Sequence, residues 1–227
     1  MPQLSNSVLK PLVVYGAAGH AKVVFDIVEK QGVYHILAVL DRYKPVGTEC
    51  GSRTVSGTME DLPEIYLHNP DVEVIVAIGD NWARGRIANE ILELCPEIRF
   101  GIAIHPSAQI GNDVSIGRGT VIMAGAVVNP SARVGQGCII NTRASLDHDS
   151  VMAHFSSLGP GAAIGGTVQI GAAAGPMAVA QPLMQLPNRI AQPGQLQGSK
   201  LPLQSRQGQS REPGVTDLRR RWIRGRC

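Results

Sequence analysis

One histidine in this chain has a carboxylate on each side, in the segment Asp147-His148-Asp149. An imidazole has an unperturbed pKa of about 6.5, so it can accept a proton at neutral pH. A neighbouring carboxylate could fix its tautomer, and either Asp147 or Asp149 could do so. The same segment is also good turn chemistry, because aspartate favours turns. From the residues alone, a general base and a solvated turn are about equally supported.

A second group of candidates lies in the first half of the chain, after short apolar segments. The turn Gly16-Ala17-Ala18-Gly19-His20 follows residues 11–15 and precedes a predicted helix over residues 21–30, with Gly32 as its C-cap. The turn lacks the full G-x-G-x-x-G pattern, which weakens any dinucleotide assignment. Its backbone N–H groups and the helix N-terminus still predict a phosphate site.

Two further apolar segments end in polar residues. Residues 35–40 lead to Asp41, and residues 72–78 lead to Gly79-Asp80-Asn81. The order strand, glycine turn, helix, strand predicts a Rossmann-like α/β half. Since ligands bind beyond the carboxyl ends of parallel strands, we expect these turns to lie together.

The second half of the chain carries a repeat of six residues. Stepping by six from Ile110 to Ile170, eleven consecutive positions hold an aliphatic residue or methionine. The residue two before each is small or β-branched, and the residue after is mostly Gly, Asn or Asp, which we interpret as the bend. This register predicts a parallel β-helix with the eleven side chains inward and three hexads per coil. Cys138 falls in the small inward column, so we interpret it as a core residue.

The remaining segments give a coarser picture. Residues 42–70 are predicted to be irregular, residues 99–104 a short strand, and residues 83–94 a helix with Ile87, Ile91 and Leu94 inward. We expect a Rossmann-like domain over residues 1–104 and a β-helix domain over residues 105–175. Residues 176–227 are rich in Gln, Pro, Arg and Gly, a composition typical of a disordered tail.

Composition narrows the class of protein. The formal net charge of +3 is too small to predict a nucleic-acid partner. The four cysteines show neither metal nor redox spacing, which favours a reducing compartment. The sequence contains no run of 18 apolar residues, the length that would indicate a membrane span. We therefore expect a cytoplasmic protein.

Together these motifs resemble the NeuD/PglD-type sugar acetyltransferases over about residues 11–171. The features that carry the resemblance are the Gly-x-x-Gly-His turn, the His105-Pro106-Ser107-Ala108 junction and the Leu146-Asp147-His148-Asp149 segment within the hexapeptide repeat. The resemblance implies transfer of an acetyl group from acetyl-CoA to an amino or hydroxyl group of a nucleotide-linked or sialic-acid-type sugar. It further implies a left-handed β-helix, a homotrimer with acetyl-CoA between neighbouring helices, and no metal.

The resemblance also implies roles for single residues. His148 corresponds to the general base and Asp149 to the acid that raises its basicity. Residues that match the family's nucleotide-sugar contacts are Ala18, Gly19, His20, Asp41, Arg42 and Gly79. Ser157 stands where the bacillosamine enzymes carry a second histidine near the thioester, and it is the predicted cofactor contact. After residue 171 the sequence departs from the family's last coils and C-terminal cap.

Two other classes stay open. Trimeric zinc enzymes resembling γ-type carbonic anhydrases are also hexapeptide helices, and His105, His148 and His154 could meet across a subunit interface. No close ligand pair supports that alternative, and a Rossmann-like half is foreign to it. The other alternative is a catalytically impaired protein that binds a nucleotide-sugar and transfers nothing.

Overall fold

The fold has an N-terminal α/β part followed by a stack of two-residue strands. The computed structural model describes residues 9–171 and the backbone of Val179–Ala180. The elements of the first part are β1 (Lys10–Tyr15), α1 (Gly19–Gln31), β2 (Tyr34–Leu40), β3 (Glu49–Cys50), β4 (Arg53–Thr54), a 3₁₀ turn (Met59–Asp61), α2 (Leu62–His68), β5 (Glu73–Val76), α3 (Asn81–Leu94) and β6 (Arg99–Phe100).

The first part is a parallel sheet with strand order β2-β1-β5-β6. Alternate residues of β1 face opposite sides, as the period of a strand requires. Leu12 and Val14 pack in the cluster that holds the buried face of α1, whereas Val13 and Tyr15 pack with the buried face of α3. The sheet therefore has a helix on each face, which is the predicted Rossmann-like arrangement.

The two long helices are bounded differently at their ends. Gly32 ends α1 in the left-handed region, with φ 67°, as its sequence position predicted. Asp80 caps the start of α3 by accepting a hydrogen bond from Ala83 N–H at 2.7 Å. Ala18 precedes α1 and provides no side-chain cap. Ala21 N–H bonds to the Ala18 carbonyl, so the N–H groups of Gly19 and His20 are the ones left to a ligand or to water.

Three expectations about the first part are wrong in detail. Residues 42–70 are not irregular, since they contain the β3–β4 hairpin, the 3₁₀ turn and α2. Leu94 is the last residue of α3 and is 42% exposed rather than inward. Residues 99–104 form two strands, because the chain leaves the first sheet at Phe100 and enters the stack at Ala103.

The second part is a left-handed parallel β-helix. Up to Ile170, paired strands are parallel and lie 18 residues apart in the chain, for example Val121 with Ile139, so three hexads make one coil. Its strands, which share a length of two residues, are β7 (Ala103–Ile104), β8 (Gln109–Ile110), β9 (Ser115–Ile116), β10 (Val121–Ile122), β11 (Val127–Val128), β12 (Arg133–Val134), β13 (Ile139–Ile140), β14 (Ser145–Leu146), β15 (Val151–Met152), β16 (Ser157–Leu158), β17 (Ala163–Ile164), β18 (Gln169–Ile170) and β19 (Val179–Ala180).

The predicted inward column forms the core of the β-helix. The residues from Ile122 to Leu158 in steps of six are at most 4% exposed, and the small column beside them is buried too. Cys138 is fully buried, as predicted. Burial is lower towards the ends of the column: Ile116, Ile164 and Ile170 are half-buried, and Ile110 is 39% exposed because β8 lies at the end of its sheet and has no coil beneath it.

The bends do not lie where the sequence pattern placed them. Left-handed φ values recur every six residues from Asp113 to Thr167, three places after the inward residue rather than one. Gly111, Gly117 and Gly135 meet a different requirement. A Cβ on any of them would lie 2.5–2.7 Å from the backbone of the next coil. These glycines allow coils to approach closely, and the bends are also made by Asp, Ser, Arg, Phe and Thr.

Phe155 joins the two parts of the molecule. Its ring packs against Gly85 of α3, where an added Cβ would lie 3.4 Å from the ring, and against Gly137 of the β-helix. Phe155 itself has φ 55°, a strained value for an aromatic residue. The Phe155 ring fits there because Gly85 and Gly137, the two residues that it packs against, have no side chains.

Replacing Gly137 by alanine should therefore loosen this junction. The new Cβ would lie 2.4 Å from the Phe155 ring, at a residue whose φ is 60°. We expect the free energy of unfolding to fall by about 1–3 kcal/mol, from overpacking and backbone strain. Thermal and urea unfolding measure the change. Gly165→Ala is the matched control, because a Cβ there meets nothing within 4 Å; equal losses in both variants would contradict the prediction.

The last strand of the stack, β19, lies within residues 176–227, which the sequence predicted to be a disordered tail. The backbone of β19 pairs with β16, joining Val179 to Ser157, a separation of 22 residues instead of 18. The remaining residues of the predicted 176–227 tail lie outside the described residues. Within the part of the chain that the structure describes, no helix has the length and apolar character needed to cross a membrane.

Candidate active site

His148 lies at an exposed corner of the β-helix, between β14 and β15. Its Nδ1 is 2.8 Å from Asp149 Oδ2, and the two side chains are 58% and 57% exposed. Asp147 has other partners, since its Oδ1 accepts from Asn129 Nδ2 and from the His148 backbone N–H, each at 2.8 Å. Of the two flanking carboxylates, Asp149 is therefore the one that meets the imidazole.

The carboxylates also set the electrostatics of this corner. The hydrogen bond to Asp149, reinforced by the charge of Asp147, raises the pKa of His148. The backbone N–H of His148 and the amide of Asn129 lower the pKa of Asp147, which keeps that carboxylate charged. With Nδ1 engaged, Nε2 is the nitrogen left to exchange a proton with a ligand.

Backbone geometry fixes the imidazole as well. Asp149 has φ 56°, one of the left-handed corner positions. One coil later, an added Cβ on Gly166 would lie 2.6 Å from His148 Nε2. The ring therefore lies over a glycine whose missing side chain leaves room for it.

The turns of the first part meet at one edge of its sheet, as expected. Asp41 Oδ2 accepts a hydrogen bond from Ala17 N–H at 2.8 Å, and Oδ1 accepts from the backbone of Tyr43. Gly16, at φ 106°, passes the end of β5 so closely that a Cβ would lie 3.0 Å from the Ala77 carbonyl oxygen. Asp41 thus ties the end of β2 to the turn after β1.

The exposed residues at this edge are the ones that could meet a ligand. Ala18, Gly19 and Gly79 are exposed, and no heavy atom lies within 4 Å of a Cβ built on either glycine. Lys44 donates from Nζ to the Ala17 carbonyl, so its charge lies beside the turn. Arg42 extends to α3, where it pairs with Glu90 at 2.6 Å.

His20 differs from the other histidines in its surroundings. Its Nε2 is buried and has no hydrogen-bond partner among the described residues. Burial, and then the positive charge of Arg84, lower the pKa of His20 to about 4. A neutral imidazole with an unused nitrogen therefore lies in the first turn of α1, beside the exposed edge.

This environment predicts a pH dependence of stability. The pKa of His20 is about 4 in the folded state and about 6.5 when unfolded, so between these values the unfolded state binds the extra proton. Acidification from pH 6.5 towards 4 should then favour unfolding. We expect His20→Gln to flatten the fall of the melting temperature over this range, and His35→Gln, at an exposed position, to leave it unchanged. Parallel curves for all three proteins would contradict the assignment.

The predicted site residues form two groups on different parts of the molecule. Ala18, Gly19, His20, Asp41 and Gly79 lie at the sheet edge, whereas His148 and Asp149 lie at a corner of the β-helix. Ser157 belongs to neither group. It is 7% exposed, and its hydroxyl donates to Asn81 Oδ1 and accepts from Arg84. Its role as a cofactor contact remains a prediction.

Sequence reasoning missed three residues that shape these sites. Asn129 and Gly166 each lie 18 residues from the residue they contact, so the coil length was a signal that could have found them. Lys44 had no such signal, because its position depends on the fold of the segment after β2.

The histidines of the zinc alternative each have a local partner. His105 Nδ1 accepts from the Ser107 backbone, and His154 Nδ1 accepts from the Gln136 backbone N–H at 2.9 Å. Across the described residues, no group of three His, Cys, Asp or Glu side chains is placed to hold a metal ion.

A parallel α/β part followed by a hexapeptide β-helix, with a histidine–carboxylate pair at one corner, defines a class of two-part hexapeptide-repeat proteins. The PglD N-terminal domain family matches residues 11–91. Over 117 residues the chain is 36% identical to the UDP-N-acetylbacillosamine N-acetyltransferase of Bacillus subtilis (strain 168). That match covers 51% of this chain and 52% of the relative, so the chain spans about half the length of that curated protein.

Solved structures are similar over a larger share. The acetyltransferase domain of PglB from Neisseria gonorrhoeae, in complex with acetyl coenzyme A, is 30% identical, with a TM-score of 0.60 over 73% of this chain and 80% of that one. PerB from Caulobacter crescentus, in complex with CoA and GDP-perosamine, is 32% identical, with a TM-score of 0.62 over 71% and 74%. The chain belongs to the NeuD/PglD-type sugar acetyltransferase family.

Proposed function

We propose that this protein transfers the acetyl group of acetyl-CoA to an amino group of a nucleotide-linked sugar. The observation that carries the proposal is the His148 imidazole, held through Nδ1 by Asp149 with Nε2 left for the acceptor. Relatives whose names specify N-acetyltransferase activity, and a homologous domain in complex with acetyl coenzyme A, support the same reaction.

The reaction needs a base, and the histidine corner fits that need. In the proposed step Nε2 of His148 takes a proton from the acceptor amine as its nitrogen attacks the thioester carbonyl carbon. The tetrahedral intermediate then loses the CoA sulfur, which takes the proton back from the imidazolium. Asp149 stabilises that imidazolium and keeps the ring oriented.

The corner also has room for a thioester. Gly165 is exposed, and no heavy atom lies within 4 Å of a Cβ built on it, whereas the three atoms nearest to a Cβ built on Gly166 all belong to the His148 ring. Backbone without side chains therefore adjoins Nε2, where a carbonyl could approach. This fit supports acetyl-CoA as the co-substrate.

The sheet edge is proposed to bind the nucleotide part. The uncapped N–H groups at the start of α1 and the Lys44 charge suit a diphosphate. Ala18, Gly19, His20 and Gly79 would line this site, with Asp41 and Arg42 at the base or ribose. We also propose a homotrimer in the cytoplasm. In this trimer the catalytic His148 of one protomer can meet the sugar that a neighbouring protomer binds.

A thiol-release assay tests the function. Acetyl-CoA is supplied with a panel of UDP-, GDP- and CMP-linked sugars, each with and without a free amine, and the acetylated product is identified by mass spectrometry. Acetyl-CoA turnover that depends on the amine is the expected result. Binding of a nucleotide-sugar with no turnover would instead indicate a catalytically impaired binding protein.

A further inference from the structure

Arg84 is the most completely buried charged residue in the described chain, at 1% exposed. Six acceptors lie within hydrogen-bond distance of its five N–H groups, so that Nη2 shares two hydrogens among three of them, and none of the six is a carboxylate. They are the carbonyl oxygens of Ile78, Gly79, Gly137 and Phe155, the side-chain oxygen of Asn81 and the hydroxyl of Ser157. A buried cation without an ionised partner is costly to the fold.

The six acceptors divide evenly between the two parts of the protein. Ile78, Gly79 and Asn81 form the turn after β5, at the sheet edge. Gly137, Phe155 and Ser157 belong to the β-helix. The distances from Arg84 are 2.6–3.1 Å to the first set and 2.7–3.3 Å to the second. Because a guanidinium is planar, the bonds fix the angle between these segments as well as their separation.

Packing at this junction is incomplete. A small cleft of about 70 Å³ lies beside Arg84, between α3 and the β-helix, and its lining combines polar side chains with apolar ones such as Val76, Leu92 and Phe100. Apolar contact therefore fills only part of the interface. The directional bonds of Arg84 then have to fix the position of the Gly79 turn.

We propose that Arg84 is a positioning residue for acetyl transfer, which fixes the nucleotide-sugar turn at Gly79 relative to its own β-helix and, through the proposed trimer of β-helices, relative to the catalytic corner of a neighbouring protomer. The inference rests on the proposed function and adds a residue that does not touch the substrate. A small displacement of the acceptor relative to the base lowers the rate steeply, by roughly 100-fold for about 1 Å. A purely packing role would not require a charge at this position.

The test compares Arg84→Lys and Arg84→Gln with the wild type in the full chain. Lysine keeps the charge but cannot make the forked set of bonds, and glutamine keeps an amide donor without the charge. In both folded variants we expect kcat to fall by roughly 10- to 100-fold, with the KM for acetyl-CoA and the affinity for free UDP or GDP unchanged. Calorimetry measures the nucleotide affinity and circular dichroism the fold.

Gln31→Ala is the matched control. Gln31 also links the two parts, since it donates to the Ile102 carbonyl and accepts from Ile104 N–H, but it does not contact the Gly79 turn. We expect this variant to keep the wild-type kcat.

The other outcomes overturn the proposal. Unchanged kcat in the Arg84 variants, or full activity in Arg84→Lys, would show that the forked bonds are not needed. An equal loss of nucleotide affinity would make Arg84 a binding residue, and unfolding of both variants would make it a stability residue. A wild type that transfers no acetyl group to any sugar would instead reject the proposed function, and this inference with it.

Discussion

Replacing His148 by alanine is expected to lower kcat by roughly 10²–10⁴-fold, the usual contribution of a positioned general base. The affinity for acetyl-CoA should change little, because the imidazole is proposed to meet the acceptor. Asp149→Asn should cost less, since it removes charge and orientation but leaves the ring. The thiol-release assay gives kcat, and calorimetry gives the acetyl-CoA affinity.

The pH profile adds a second measurement on the same residue. Only the neutral imidazole is a base, so the rate should rise with pH as His148 loses its proton. The hydrogen bond to Asp149 raises the pKa of His148, which places the midpoint of the rise above the ordinary value of about 6.5. Asp149→Asn should move that midpoint down. Asp147→Ala is the comparison: Asp147 bonds to Asn129 and to backbone and raises the pKa of His148 through its charge alone, so we expect a smaller downward move of the midpoint.

Full turnover in His148→Ala would show that the base has been wrongly assigned. His20 and His154 would then be the next candidates. A larger loss in Asp147→Ala than in Asp149→Asn would show that the wrong carboxylate has been placed with the imidazole.

Replacing Ile140 by aspartate is expected to unfold the β-helix. Ile140 is fully buried in β13, which has a paired strand on each side. A carboxylate there has no partner and should lower the free energy of unfolding by several kcal/mol, a large share of a typical total. Urea unfolding followed by circular dichroism measures the loss.

Arg133→Asp provides the control for that experiment. Arg133 is exposed on β12, next to the inward Val134, so the same new charge enters the same stack on the solvent side. We expect its unfolding midpoint to lie close to that of the wild type. Similar destabilisation by both substitutions would contradict the inward register.

The sequence was sufficient to predict the elements that repeat. The period of six identified the inward column from Ile122 to Leu158, because every coil presents the same demand for an apolar side chain. The period of six wrongly predicted that Ile110 is buried. Ile110 lies at the end of the stack, where no further coil covers it. The bends were displaced because glycine can mean either a left-handed φ or a close approach, and composition does not distinguish the two.

The site was predictable to the extent that its contacts are local or follow the coil length. Asp149 lies next to His148, and Asn129 lies one coil from Asp147. The contacts of Arg84 with Gly137 and of Phe155 with Gly85 were beyond prediction, because they join residues 53 and 70 apart across a junction whose orientation the sequence does not give. The segment 42–70 did carry a signal, the Thr58–Asp61 capping box, which was overlooked.

The constant spacing of the β-helix has a consequence for how the protein folds. From β7 to β15 each strand meets one 18 residues further along the chain, whereas Leu12 of β1 must meet Glu73 of β5. The entropy of loop closure grows with the length of the closed segment, so each coil costs less to form than the first sheet. Once one coil has folded, the next coil can form against its edge. Because these contacts give the β-helix a low contact order, we expect the later coils to fold rapidly.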